Sequence, residues 1–208
     1  MSLLSETVEE RMLYGLFMGD ESTHYQQVRR FLPNLGQDCE PSSFHQLLTH
    51  VIEEGERETL VFIIQVVLEG WGLTHYKSLA DGCQSPKFEE ALRGILRDES
   101  RHHGSGVILA RERGLPPHTR DFTLEILSKF LEMVQYGPQS VVQAIVEEND
   151  GLTRAQKIEI FEELDTVGHS QERLNLLRTL MEQDGFADIV SDLDARHLFD
   201  AKPAGECA

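Results

Sequence analysis

The sequence predicts an all-α protein built as a helical bundle. Three observations lead there. Apolar residues recur at spacings of three and four along most of the chain. Clusters of Gly, Pro, Asn and Ser punctuate those stretches where helices should stop. The one run that could suit a buried strand, 60–68, has helix-like flanks and no second strand to pair with.

A first helix is expected over 3–32, with Met12, Leu13, Leu16 and Phe17 as an apolar stripe and Tyr25, Val28 and Leu32 continuing it. Pro33, Asn34 and Gly36 should stop it, and Pro41-Ser42-Ser43 should cap the next. A second helix is expected over 43–80. Its first half carries Glu53, Glu54, Glu56, Arg57 and Glu58 and reads as exposed. The run 60–68 follows, apolar nearly all round, which places it at the centre of a bundle. Glu69 closes that run, and Gly70 and Gly72 flank Trp71, where small residues admit a neighbouring helix or a substrate. His75 and Tyr76 read as packing or surface residues, with a pocket lining as the rarer role. Ser85-Pro86 opens a third helix, 86–114, with Gly104 and Gly106 marking a crowded stretch. A fourth is expected over 119–136, resuming after Gly137-Pro138 to 148. A fifth should span 153–183, with His169 isolated on it. The reading in domains is 1–115 as the functional helices, 116–185 as further packing helices of the same domain, and 186–208 as a frayed tail.

Composition bounds the function. The 208 residues are 40% hydrophobic and 26% charged, a soluble globular balance. A net charge of −17 argues against nucleic acid and anionic membrane as partners. Cys39, Cys83 and Cys207 are scattered, with no C-x-x-C, so reduced thiols in a cytoplasmic protein are expected rather than a disulfide framework. The N-terminus lacks the basic and apolar regions of a signal peptide, and the run 60–68 is about half the length a bilayer needs.

One five-residue pattern occurs twice: Asp20-Glu21-Ser22-Thr23-His24 and Asp98-Glu99-Ser100-Arg101-His102. Chance would supply about one Glu-x-x-His in a chain with this composition. Two copies sharing the preceding Asp and the following Ser are much harder to obtain. On a helix, residues three apart lie on nearly the same side, so a carboxylate and an imidazole can grip one ion. His103 points about 100° away from His102 and is not expected to be a ligand.

These motifs resemble the D-E-x-x-H signatures of the ferritin-like di-iron carboxylate superfamily, such as ribonucleotide reductase small subunits and rubrerythrins. The resemblance covers roughly 10–114. It implies a ferritin-like bundle with two irons, or manganese as the rival metal. By that resemblance Glu21 and Glu99 would bridge the ions, His24 and His102 would take one each, and Glu69 would be a terminal ligand. Asp20 would steady His102 and Asp98 would steady His24, through the second ring nitrogen.

The family pattern runs Glu, Glu-x-x-His, Glu, Glu-x-x-His. Glu69 precedes Glu99 by thirty residues; thirty residues before Glu21 falls ahead of Met1. The first helix of the bundle is therefore not visible. A late start, completion by another subunit or a later helix, and a degenerate site all remain open. The resemblance implies an oxygen-activating oxidoreductase acting on dioxygen and a small organic substrate. Two alternatives stand beside it: iron handling or peroxide scavenging, and a helical interaction protein that has lost catalysis. The helices after 119 serve either to cover the bundle or to make a homodimer.

Overall fold

The computed structural model describes residues 1–32, 41–183 and 185–208. Every regular element among them is helical. Pro33, Asn34, Gly36 and Cys39 lie outside the described residues. The chain forms two compact units, Met1–Thr119 and Arg120–Ala208.

The first unit begins with a short turn, Ser2–Leu4, and then α1, Val8–Phe31, capped by the Thr7 side chain. Helix α2 is Ser43–Glu54, capped by Ser42. The expected helix over 43–80 is thus two helices. Gly55 and Glu56 adopt extended backbone between them. A Cβ at Gly55 would stand 2.4 Å from the Val51 carbonyl oxygen, so glycine is what lets the chain turn there. The following helix runs unbroken from α3, Arg57–Leu60, through a π-helical segment, Val61–Leu68, into α4, Glu69–Gly82. Helix α5, Pro86–Arg113, starts on Pro86 at its first turn and ends at Gly114, which has a positive φ.

Helices α1 and α5 run antiparallel. Phe31 meets Phe88 at one end, with ring centroids 4.8 Å apart. Arg113 binds Glu10 (2.9 Å) and Glu6 at the other. The two pentapeptides meet between those ends. The exposed reading of Arg57 is corrected: it is buried, with Nη2 2.7 Å from Glu10 and Nη1 3.0 Å from Glu58. An arginine tolerates burial when carboxylates surround its fork. The stripe expected on α1 is also rotated. Met12, Leu16 and Tyr25 are exposed, and Tyr14 and His24 are its buried residues.

The π segment is almost wholly buried, as its apolar circumference requires. Its wide turns carry i→i+5 bonds, such as Glu69 N–H to Ile64 O. Two side chains fix it at Gln65. His103 Nδ1 lies 3.0 Å from the Gln65 carbonyl oxygen, and Tyr14 Oη donates to Gln65 Oε1 at 2.9 Å. Gly106 lets α5 come this close, since a Cβ there would fall 2.3 Å from Gln65 Cβ. Gly104, by contrast, has open space around it.

The second unit contains α6, Arg120–Gln135, α7, Gln139–Glu148, α8, Arg154–Glu163, α9, Thr166–Met181, α10, Ala187–Ala195, and α11, Ala204–Cys207. The expected helix 153–183 breaks at Asp165, which is left-handed. The frayed tail is also corrected. Phe186, Ile189, Leu193, Leu198 and Phe199 are buried. Gln135 Nε2 donates to the carbonyls of His197 and Asp200, each at 2.7 Å, and tethers the C-terminal residues to α6. His169 lies on the surface, as one of its two expected placements. Cys83 and Cys207 are free thiols. Among the described residues no helix is long and apolar enough to cross a membrane.

Candidate metal centre

Antiparallel pairing brings the two pentapeptides face to face. Each histidine reaches across to the other helix with Nε2. His24 Nε2 lies 3.1 Å from Asp98 Oδ2, and His102 Nε2 lies 3.1 Å from Asp20 Oδ2. These contacts orient both rings and turn both Nδ1 atoms toward the glutamates between them. His24 Nδ1 is 3.2 Å from Glu99 Oε1 and 3.7 Å from Glu21 Oε2. His102 Nδ1 is 3.3 Å from Glu21 Oε1 and 3.6 Å from Glu99 Oε2. Each glutamate therefore turns one oxygen toward each histidine. The histidine centroids are 6.3 Å apart, so the carboxylates span the gap between two imidazole positions.

Burial differs around this array. His24, Glu99 and His102 are buried. The Glu21 side chain is 56% exposed. Phe17 lies against the His102 ring at a centroid distance of 3.9 Å and shields that side from water. Arg101 holds Asp98 at 2.6 Å and approaches Asp20 at 3.8 Å.

Glu69 reaches the same place from α4. With Glu21 and Glu99 it lines a cavity of about 480 Å³. Its Oε2 is buried without a hydrogen-bond partner among the described residues, and so is His24 Nδ1. Burial, joined by the charges of Glu99 and Glu21, pushes the Glu69 carboxyl up to about 8 despite the opposing pull of His102. Burial alone would lower His102. Hydrogen bonds to Glu21, Glu99 and Asp20 outweigh it and raise the imidazole to about 10. Burial raises Asp98, but His24 and Arg101 bring it below the ordinary aspartate value.

Glu21, Glu99 and His102 offer ligand atoms within 4.8 Å of one another, close enough to share a cation. No protein-family model, curated protein or solved structure matches the chain. The site must therefore be read from its own chemistry.

The structure also shows what sequence reasoning missed. Helix α2 places Phe44 and Leu48 on the cavity wall. His75 and Tyr76 line the cavity too, as do Trp71 and Gly72. Merging α2 with its successor hid the first pair. Gln65, one polar residue in an apolar run, was the available signal for the contacts that Tyr14 and His103 make.

Proposed function

We propose that the first unit is a ferritin-like protein holding a dinuclear metal centre, iron or manganese, and that it is an oxygen-activating oxidoreductase. The supporting observation is the crossed array: two Nδ1 atoms, each facing an oxygen of both glutamates, with each Nε2 anchored on the opposite helix. A hydrogen-bonded packing arrangement would use Nδ1 of His24 as a donor or acceptor. Here that atom lies 3.2 Å from Glu99 Oε1 without making a hydrogen bond, and Glu69 Oε2 is buried with no hydrogen-bond partner among the described residues. Buried polar atoms without partners are costly, and a shared cation would satisfy both.

His24 and His102 would take one ion each through Nδ1. Glu21, Glu99 and Glu69 would supply the carboxylate donors. Mixed carboxylate and imidazole donors suit iron and manganese. Such a centre, when reduced, would supply electrons to dioxygen, which no side chain can do. The chain's own residues hold the donors in place and keep water off one side. Asp20 and Asp98 fix the rings, and the π segment and Phe17 form the dry flank. Substrate would enter from the cavity beside Glu69.

The exposure of Glu21 favours a second reading, iron handling or peroxide removal, because ions and peroxide reach an open carboxylate readily. Retained metal with peroxide consumption and no oxidation of organic compounds would select it.

Metal analysis after expression with iron and manganese tests the centre. The expected result is about two ions per chain, falling well below one in Glu99→Ala. Background metal in the wild type would leave the non-catalytic interaction protein as the reading. Unchanged metal in Glu99→Ala would remove the assignment.

A further inference from the structure

The cavity is larger than two ions need. At about 480 Å³ it falls among small-molecule sites, which run roughly 300–1,000 Å³. Its carboxylates come from Glu21, Glu69 and Glu99. Away from them the wall is apolar: Phe44 and Leu48 on α2, Ile64 and Leu68 on the π segment, Trp71 and Tyr76 on α4. Among the described residues no lysine or arginine lines it.

We propose that this cavity binds an uncharged, largely apolar organic molecule and discriminates against anions. Identifying that molecule as the substrate rests on the function proposed above; the binding itself does not. Aromatic and branched walls favour apolar surface, and Trp71 and Tyr76 each offer a ring as well as a polar edge. An anion entering here would lose its hydration and face the carboxylates of Glu21, Glu69 and Glu99, whose charge outweighs what the nearby imidazoles His75 and His102 can offer. Metal loading does not reverse this. The five carboxylates Asp20, Glu21, Glu69, Asp98 and Glu99 outnumber the four positive charges of two divalent ions.

Trp71 is the chain's one tryptophan, so its emission reports on this cavity. The probes are biphenyl-4-methanol and biphenyl-4-carboxylate, alike in rings and opposite in charge character. The alcohol should change Trp71 emission saturably, and the carboxylate should bind at least about tenfold more weakly. Gly72→Leu fills the cavity from α4. Space exists for it, since a Cβ at Gly72 meets only Tyr76 Cε2, at 3.9 Å. Leu48→Phe fills it from α2. Each variant that keeps wild-type helicity should weaken the alcohol at least about fivefold. Equal affinity for the two probes, or an unchanged alcohol titration in a folded variant, would overturn the proposal. Metal content is measured on the same samples. Alcohol binding without metal would sink the dinuclear reading and leave the cavity proposal standing. Metal without alcohol binding would do the reverse.

Discussion

Gly106→Ala is the perturbation with the clearest magnitude. Gly106 lies one turn beyond His102, and Gln65 lies one turn before Glu69. A Cβ at 106 would fall 2.3 Å from Gln65 Cβ, 3.2 Å from its carbonyl carbon and 3.4 Å from its Cα. Carbon atoms prefer about 3.5–4.0 Å. The helices must separate by roughly 1 Å, because two of the three contacts are backbone. Overpacking of this kind costs about 1–3 kcal/mol, and a backbone clash belongs at the upper end. Alanine returns about 1 kcal/mol of helix propensity. A net loss of about 2 kcal/mol remains. Gly94→Ala and Gly104→Ala, in the same helix with nothing within 4 Å, should instead gain up to about 1 kcal/mol. Urea denaturation of the three variants should therefore separate Gly106→Ala from its controls by about 3 kcal/mol. Its metal affinity should also fall, since α5 carries Glu99 and His102 away from Glu69. If Gly106→Ala proved as stable as the two controls, the close approach of α5 to the π segment would be wrong.

Other substitutions probe the electrostatics. In metal-free protein, the Glu69 carboxyl titrates near 8 when folded against an ordinary value of 4.5. The unfolded chain loses that proton first, so Glu69 makes stability fall as pH rises from 4.5 to about 8. Glu69→Gln should give a shallower decline of the denaturation midpoint between about pH 5 and pH 7; parallel curves would count against the buried placement of Glu69. Asp98→Asn replaces the acceptor for His24 Nε2 with a poorer one. Metal affinity should drop about 10- to 100-fold with little loss of helicity, as read by competition with a chelator.

The sequence carried the part of this protein that repeats. The pentapeptides are local and helical, so their spacing alone places Glu and His on one face. That Asp20 lies against His102, and Asp98 against His24, follows once the two helices run antiparallel. Other features depend on contacts between residues far apart in sequence. The break at Gly55 turns on two extended residues, Gly55 and Glu56, inside an otherwise helical pattern. The π segment shows in sequence only as an apolar run; its contacts from Tyr14 and His103 to Gln65 come from other helices. Tail residues such as Phe186 and Leu193 looked frayed because they lie at the end of the chain, where order depends on docking against another element. The carbonyls of His197 and Asp200, held by Gln135, supply an anchor that no local pattern encodes.

The charge balance of the proposed centre makes a final prediction. Asp20, Glu21, Glu69, Asp98 and Glu99 are brought together, and metal-free protein moderates the repulsion with protons. Glu69 keeps its proton at pH 7 because it titrates near 8, and His102 stays charged because it titrates near 10. A cation bound through Glu69 and through Nδ1 of His102 displaces both protons, since a ligand must present a free lone pair. Loading metal-free protein at pH 7 should therefore release roughly two protons per chain from these groups. Calorimetry in two buffers of different ionisation enthalpy measures that number directly. Glu69→Gln should lower it by about one. Binding that released no protons would mean that the cation sits elsewhere on this acidic chain, away from Glu69 and His102.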